Sequence, residues 1–141
     1  MKAILYLSKA TTDFSKEDLK ALEAKSATNN TARDLSGYLY YDGAKFLQYL
    51  EGEEEQLMPL LKIIRDDPRH AFLCETEEDI EEKRFPEWSM KNIQSMVLEL
   101  GLVEKTTIQT LSIFVEKGYD LDKSISKDLF KLMDHLKVVT F

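Results

Sequence analysis

The chain has 141 residues, of which 43% are hydrophobic and 32% charged, enough for one domain around one core. The formal net charge of −7 argues against direct nucleic-acid binding, which needs Lys and Arg to neutralise phosphates, and against anionic membrane surfaces. Cys74 is the one cysteine and His70 and His135 are the two histidines, so neither an internal disulfide nor a His- or Cys-rich metal site is expected. No apolar run approaches the ~20 residues a bilayer span requires, and the first residues lack a signal-peptide core of sufficient length. The expectation is a cytoplasmic protein.

Residues 2–8 read as a strand. Ile4, Tyr6 and Ser8 share one face; Ala3, Leu5 and Leu7 share the other. Ser15-Lys16-Glu17-Asp18 predicts a helix start with Ser15 as the cap. Leu19, Leu22 and Ser26 then form a stripe that Asn29 and Asn30 continue about two to three turns later, an unusual place for asparagine. Residues 35–41 and 44–51 are two strands joined by Asp42-Gly43, the preferred dipeptide of a type I′ hairpin. Gln48 sits on an apolar strand face between Phe46 and Leu50, where an unpaired amide would cost about 1–3 kcal/mol. Leu57, Leu60, Leu61 and Ile64 predict a second amphipathic helix. Pro59 inside that pattern is tolerable only near the first turn, and Asp67-Pro68 ends the run. Residues 71–76 and 88–94 read as further strands, with the acidic stretch from Glu75 to Glu82 as a solvated edge and loop. Thr106 or Thr107 is placed to cap a helix carrying Ile108, Leu111 and Val115, stopped by Gly118. A last helix is expected over Leu129, Leu132, Met133 and Leu136, after Ser124 or Ser126.

The predicted order is βαββαββ followed by helices. That is an α+β, ferredoxin-like sheet with two helices on one face (residues 1–95) and a C-terminal helical extension packed on it (residues 96–141). In this topology the first and third strands are adjacent, so Tyr6 and Gln48 become neighbours under the two helices. With Asn29 and Asn30 they would line a pocket of uncharged hydrogen-bonding groups. Such a pocket suits a flat polar heterocycle better than acid–base hydrolysis.

Six pieces of sequence, in order, resemble the BLUF family of flavin-holding blue-light receptors. They are Leu5-Tyr6-Leu7-Ser8, Asn29-Asn30, Arg33-Asp34-Leu35-Ser36-Gly37-Tyr38-Leu39, Lys45-Phe46-Leu47-Gln48-Tyr49-Leu50-Glu51-Gly52, Asp67-Pro68-Arg69-His70 and Arg84-Phe85-Pro86-Glu87-Trp88-Ser89-Met90. The resemblance covers residues 2 to about 93; Leu35 and Ser36 stand where Ile and Thr are commoner. It implies a flavin, FAD or alternatively FMN, held between the two helices, and a sensor rather than an enzyme. Tyr6 is the implied electron and proton donor and Gln48 the relay. Asn29 and Asn30 are implied ring contacts, with Ile4, Phe46, Leu50 and Ile64 as apolar lining. Asp67, Arg69 and His70 match positions near the ribityl chain and phosphate. Trp88, Met90 and Ser8 are implied in signalling. With only two helices after the sheet, the chain is similar to short members of the family that act through non-covalent protein partners.

Taken singly, Tyr6, Trp88 and Met90 read as core filling, Asn29-Asn30 as a helix end and Arg69-His70 as a solvated turn. The joint match favours the site reading for Tyr6, Asn30, Gln48, Trp88 and Met90. Two competing functions are a flavin-free, ferredoxin-like protein-interaction module and a small flavin oxidoreductase. The second lacks a Gly-x-Gly-x-x-Gly after a strand. The apolar Leu129, Leu132, Met133 and Leu136 stripe and the terminal Val138-Val139-Thr140-Phe141 predict a homo-oligomer.

Overall fold

The two faces of the first strand, both mostly apolar, require cover on both sides. A computed structural model, describing residues 1–86, 91–92, 98–118, 125–131 and 134, shows how that cover is supplied. The elements are β1 (Lys2–Ala10), α1 (Lys16–Ala32), β2 (Ser36–Tyr41), β3 (Lys45–Gly52), α2 (Glu54–Asp66), β4 (His70–Asp79), β5 (Lys91–Asn92) and α3 (Leu98–Lys117). A further helical segment, α4, spans 125–131. The sheet order is β4-β1-β3-β2-β5. β1 pairs antiparallel with β3 and β4, and β2 antiparallel with β3, while the short β5 joins β2 in parallel. The fold is thus α+β and ferredoxin-like, with β1 and β3 at its centre.

Alternation sorts the core into two layers. Ile4, Tyr6, Leu39, Tyr41, Phe46 and Leu50 face α1 and α2, where Leu57, Leu60 and Leu61 meet them. Leu5, Leu7, Tyr38, Leu47 and Tyr49 face the other way, against Phe85, Ile108 and Leu111 of α3 and Leu129 and Phe130 of α4. Each fully buried aliphatic or aromatic side chain contributes about 1.5–3 kcal/mol. The β4 register shifts opposite Leu7 and Ser8, so that Leu73 is an extra residue. This bulge keeps Phe72 on the Tyr6 side of the sheet while Leu73 and Cys74 pack toward the α3 side.

Several local expectations change. The β2–β3 turn is not type I′, because Asp42 does not take the positive φ that turn needs, while Gly43 does (φ 99°). Instead the Asp42 carboxylate accepts the Ala44 and Lys45 amides at 2.9 and 2.7 Å, and the loop takes three residues. α2 begins at Glu54, so Pro59 lies in its second turn. The helix survives because Pro59 is exposed and water can serve the carbonyl left without a donor. β4 runs on to Asp79 rather than ending at 76: on this sheet edge Glu75, Glu77 and Asp79 face water, and Lys2 reaches Glu77 at 3.3 Å and Asp79 at 3.6 Å. α3 starts at Leu98, so Thr106 and Thr107 are mid-helix and not caps; Thr107 is buried, and the Thr106 carbonyl accepts the Thr110 hydroxyl. Helix formers on either side of Gly101 outweigh its cost of about 1 kcal/mol. Gly118, at φ 69°, ends α3 as predicted. Trp88, Met90, Ser124, Leu132, Met133, Leu136, His135 and Val138 to Phe141 lie outside the described residues, as do residues 88–90 and 93–94 of the expected last strand. Among the described residues no helix is long and apolar enough to cross a membrane, and no cluster of His, Cys, Asp and Glu is arranged to hold a metal.

Candidate functional site

Directly opposite each other on β1 and β3 stand Tyr6 and Gln48. The Tyr6 hydroxyl donates a short hydrogen bond to Gln48 Oε1. Both residues are nearly inaccessible, at 3% and 4% exposure. Burial, and secondarily the Asp67 carboxylate, push the Tyr6 hydroxyl well above its ordinary pKa, so the phenol is firmly protonated. Phe72 stacks on the Tyr6 ring at 4.1 Å between centroids and fixes its plane. Gln48 also carries an NH2 group. Among the described residues it meets no acceptor, an orphaned buried donor on the wall of a cavity.

That cavity lies between α1, the sheet and the end of α2, with Tyr6, Phe46, Gln48, Ile64, Asp67, Arg69 and His70 on its walls. A second adjoins it through Gln48, Ile64, Asp67 and Arg69 and adds Asn29 and Asn30 from α1. Capping puts those asparagines there. Ser15 accepts the Asp18 amide at 3.1 Å and Asp18 accepts the Ser15 amide at 3.0 Å, a capping box that fixes the start and phase of α1. Asn30 is then buried at the helix end, where its carbonyl accepts the Leu35 amide at 2.8 Å.

The far wall is a short relay. His70 Nε2 donates to the Ile64 carbonyl at 2.6 Å, since a carbonyl can only accept. His70 Nδ1 hydrogen-bonds the Ser8 hydroxyl at 2.7 Å, so the ring ties α2 to β1. Arg69 is forked onto Asp67, with Nη2 to Oδ2 at 2.7 Å and its amide to Oδ1 at 2.9 Å. These bonds from Arg69 hold the Asp67 carboxyl down at about 2.

The structure therefore brings Tyr6, Asn29, Asn30, Phe46, Gln48, Ile64, Asp67, Arg69 and His70 to one pair of cavities, with Ser8 just behind. Ile4 and Leu50 share the sheet face but are not on these walls. They are paired partners one strand repeat beyond Tyr6 and Gln48, in the apolar cluster with Leu57 and Leu61. Trp88 and Met90 lie outside the described residues. Phe14, Leu22, Ser26 and Leu39 also line the first cavity. Phe14 had a signal: preceding the cap, with Leu19 at the fourth helical position, it has the spacing of a hydrophobic staple. Leu39 is the β2 partner of Gln48, and Leu22 and Ser26 belong to the α1 stripe.

The family described as sensors of blue-light using FAD matches residues 1–91. The chain is 30% identical over 100 residues to the photoactivated adenylate cyclase subunit beta of Euglena longa, an alignment covering 70% of this chain and 12% of that protein. It thus spans a small part of that curated relative. A bacterial light-regulated adenylyl cyclase superposes with a TM-score of 0.68 at 31% identity, over 82% of this chain and 36% of that one. The dark-state structure of the BLUF protein BlrB superposes with a TM-score of 0.69 at 21% identity, over 98% of this chain and 96% of that one, a likeness of fold. With most of its length matched, this chain belongs to the BLUF family, the sensors of blue light that use FAD.

Proposed function

We propose that Tyr6 and Gln48 carry the light response of this chain and that it passes to a protein partner without net chemistry. The observation behind this is the half-satisfied amide: Gln48 Oε1 takes the Tyr6 proton donor, while its NH2 has no acceptor among the described residues and lines the cavity. A flat ring bearing nitrogen and carbonyl acceptors would complete it, which is how the site fits FAD. Asn29, Asn30 and Gln48 would meet the ring's polar edge, and Phe46 and Ile64 its apolar surfaces. Arg69, His70 and Asp67 would lie toward the ribityl chain and phosphate. Because Arg69 is already forked onto Asp67, its contribution there would come through remaining N–H donors rather than a free charge.

Bound FAD, or FMN in its place, supplies the blue absorption and an excited state able to take up an electron. The chain's own part follows from its hydrogen bonds. Burial closes ordinary acid dissociation of Tyr6, so its proton is released only when the phenol is oxidised, and Gln48 Oε1 is positioned to receive it. An amide donates from one end and accepts at the other, so rotation or tautomerisation of Gln48 gives a second paired arrangement. The electron and proton return to Tyr6, and only the hydrogen-bond pattern differs. Trp88 and Met90 would sense that difference, and the C-terminal helices would present it to a partner, in keeping with a sensor and not an enzyme. Two states with different contacts are the minimum for such a switch.

Absorption spectra of the purified protein in the dark and under blue light test this reading. A flavin spectrum with a reversible shift to the red is the expected result. A colourless protein, or a yellow one without the shift, overturns it.

A further inference from the structure

Behind Gln48, on the opposite face of the sheet, lies a polar cluster the light-sensing site does not use. Glu51, three residues along β3, is wholly buried despite being a carboxylate. It accepts four hydrogen bonds: from the hydroxyls of Ser36 at 2.8 Å and Tyr49 at 2.9 Å, and from the backbone amides of Arg84 at 2.6 Å and Phe85 at 2.7 Å. Such saturation is what makes a buried carboxylate tolerable. It also pins the 84–85 segment to the strand that carries Gln48.

From that anchored position the Arg84 guanidinium reaches three ways. Nη1 donates to the Tyr49 hydroxyl at 3.0 Å, Nη2 pairs closely with Glu78 of β4, and Nε donates to Asp134 at 2.6 Å. Its Cζ also lies 5.3 Å from the centroid of the Phe130 ring of α4. Arg84 is 11% exposed in its side chain, whereas Asp134 is 59% exposed. One side chain thus joins β3, β4 and the C-terminal helical region. Its outermost bond is a solvent-facing ion pair of small net stability, one that a modest rearrangement can open or close.

We propose that Arg84 is a positioning residue for the light response, transmitting a change at Gln48 to the C-terminal helical region through the Tyr49 hydroxyl and Asp134. Tyr49 follows Gln48 directly in β3, so a shift of the strand at Gln48 moves the Tyr49 ring on the far face. There its hydroxyl is bracketed by Glu51 and Arg84. The Arg84–Asp134 pair is the two-state element that both ends bias. This rests on the proposal that Gln48 changes its hydrogen bonds in light.

The test is hydrogen exchange over residues 98–118 and 125–134 of the full FAD-loaded chain, in the dark and under light, with the flavin spectrum recorded alongside. The native protein is expected to show a light-minus-dark difference in 125–134. Asp134→Asn should keep the full red shift and reduce that difference at least several-fold, and Asp134→Glu should restore it. Arg84→Gln should do the same as Asp134→Asn; if it fails to fold, Asp134→Asn, made at the exposed end of the pair, still decides. A purely structural staple would raise exchange equally in dark and light and leave the difference intact in Asp134→Asn, and that result overturns the proposal. So does a native protein that shows the red shift without any difference in 125–134. Absence of the red shift in the native protein removes the sensor reading itself, a separate failure.

Discussion

Tyr6 and Gln48 meet because strand alternation and strand order act together. Alternation sets Tyr6 toward the helices, and the ferredoxin-like crossover sets β3 beside β1, so the two residues fall opposite each other. If the phenol proton is the one that moves, Tyr6→Phe should load with FAD and show no red shift, and lose about 1–3 kcal/mol of stability, because the ring keeps its stacking on Phe72 while Gln48 Oε1 loses its donor. Gln48→Leu should lose the shift as well. A normal photocycle in Tyr6→Phe, read from the same spectra, removes Tyr6 from the mechanism. This pair was legible in the sequence because both of its determinants are periodic. Glu51 was not. Its burial depends on amides of Arg84 and Phe85, more than thirty residues away, and no local pattern announces a carboxylate that will be saturated by a distant loop. The Asp67–Arg69 fork was hidden for a different reason: Asp67 reads as a helix end and Arg69 as part of a solvated turn, and only the turn geometry aims the guanidinium back at the carboxylate.

α1 is an incomplete element by the standards of the rest of the core. Of its seventeen residues Asn30 alone is buried, while the thirteen-residue α2 buries Leu57, Leu60 and Leu61. Its apolar stripe of Leu19, Leu22 and Ala27 packs on the core only partly buried, so α1 draws less stability from the protein alone than α2 does, whatever its capping box contributes. The cavities lie along its inner face, so a ring held there would supply contacts the sheet does not. Removing FAD should therefore speed amide exchange in both helices by on the order of 100-fold, the factor lost when a ligand present at ~100 times its Kd is withdrawn, and leave α1 exchanging faster than α2 in the apo protein. An α1 that exchanges no faster than α2 in the apo protein, measured by hydrogen exchange, would contradict this. Element existence was easier to read than element ends. Ser15 announces itself through the capping box, but the end of β4 was concealed because Thr76 and Glu78, both polar, take the inward positions, leaving no apolar alternation. The start of α3 was concealed because the threonines at 106 and 107 imitate a cap where the backbone runs straight through.

At the scale of the molecule, one sheet serves two layers. Tyr6 and Gln48 belong to the layer under α1 and α2; Tyr49 and Leu7 belong to the layer under α3 and α4. The buried apolar residues of β1, β2 and β3 divide between the two layers, so neither can be dissolved without exposing about half of the apolar side chains of the central strands. That shared sheet predicts a single cooperative unit, in which a ligand bound on one face protects the other. Cys74 is suited to report it. It packs against the α3-side layer, it is the one cysteine in the chain, and burial pushes its thiol up to about 11, so it is little ionised and slow to alkylate while the protein is closed. FAD at ~100 times its Kd should stabilise the folded chain by about 2.7 kcal/mol and raise the midpoint of thermal unfolding by roughly 5–10 °C. Under conditions where alkylation is limited by the population of the open form, the Cys74 labelling rate should fall by about the same 100-fold as global unfolding does. If instead FAD raised the melting temperature while leaving Cys74 labelling unchanged, the α3 side would be opening on its own. The chain would then divide near residue 95 into a flavin-binding sheet and a separately mobile extension, and a signal could not cross the sheet by packing alone.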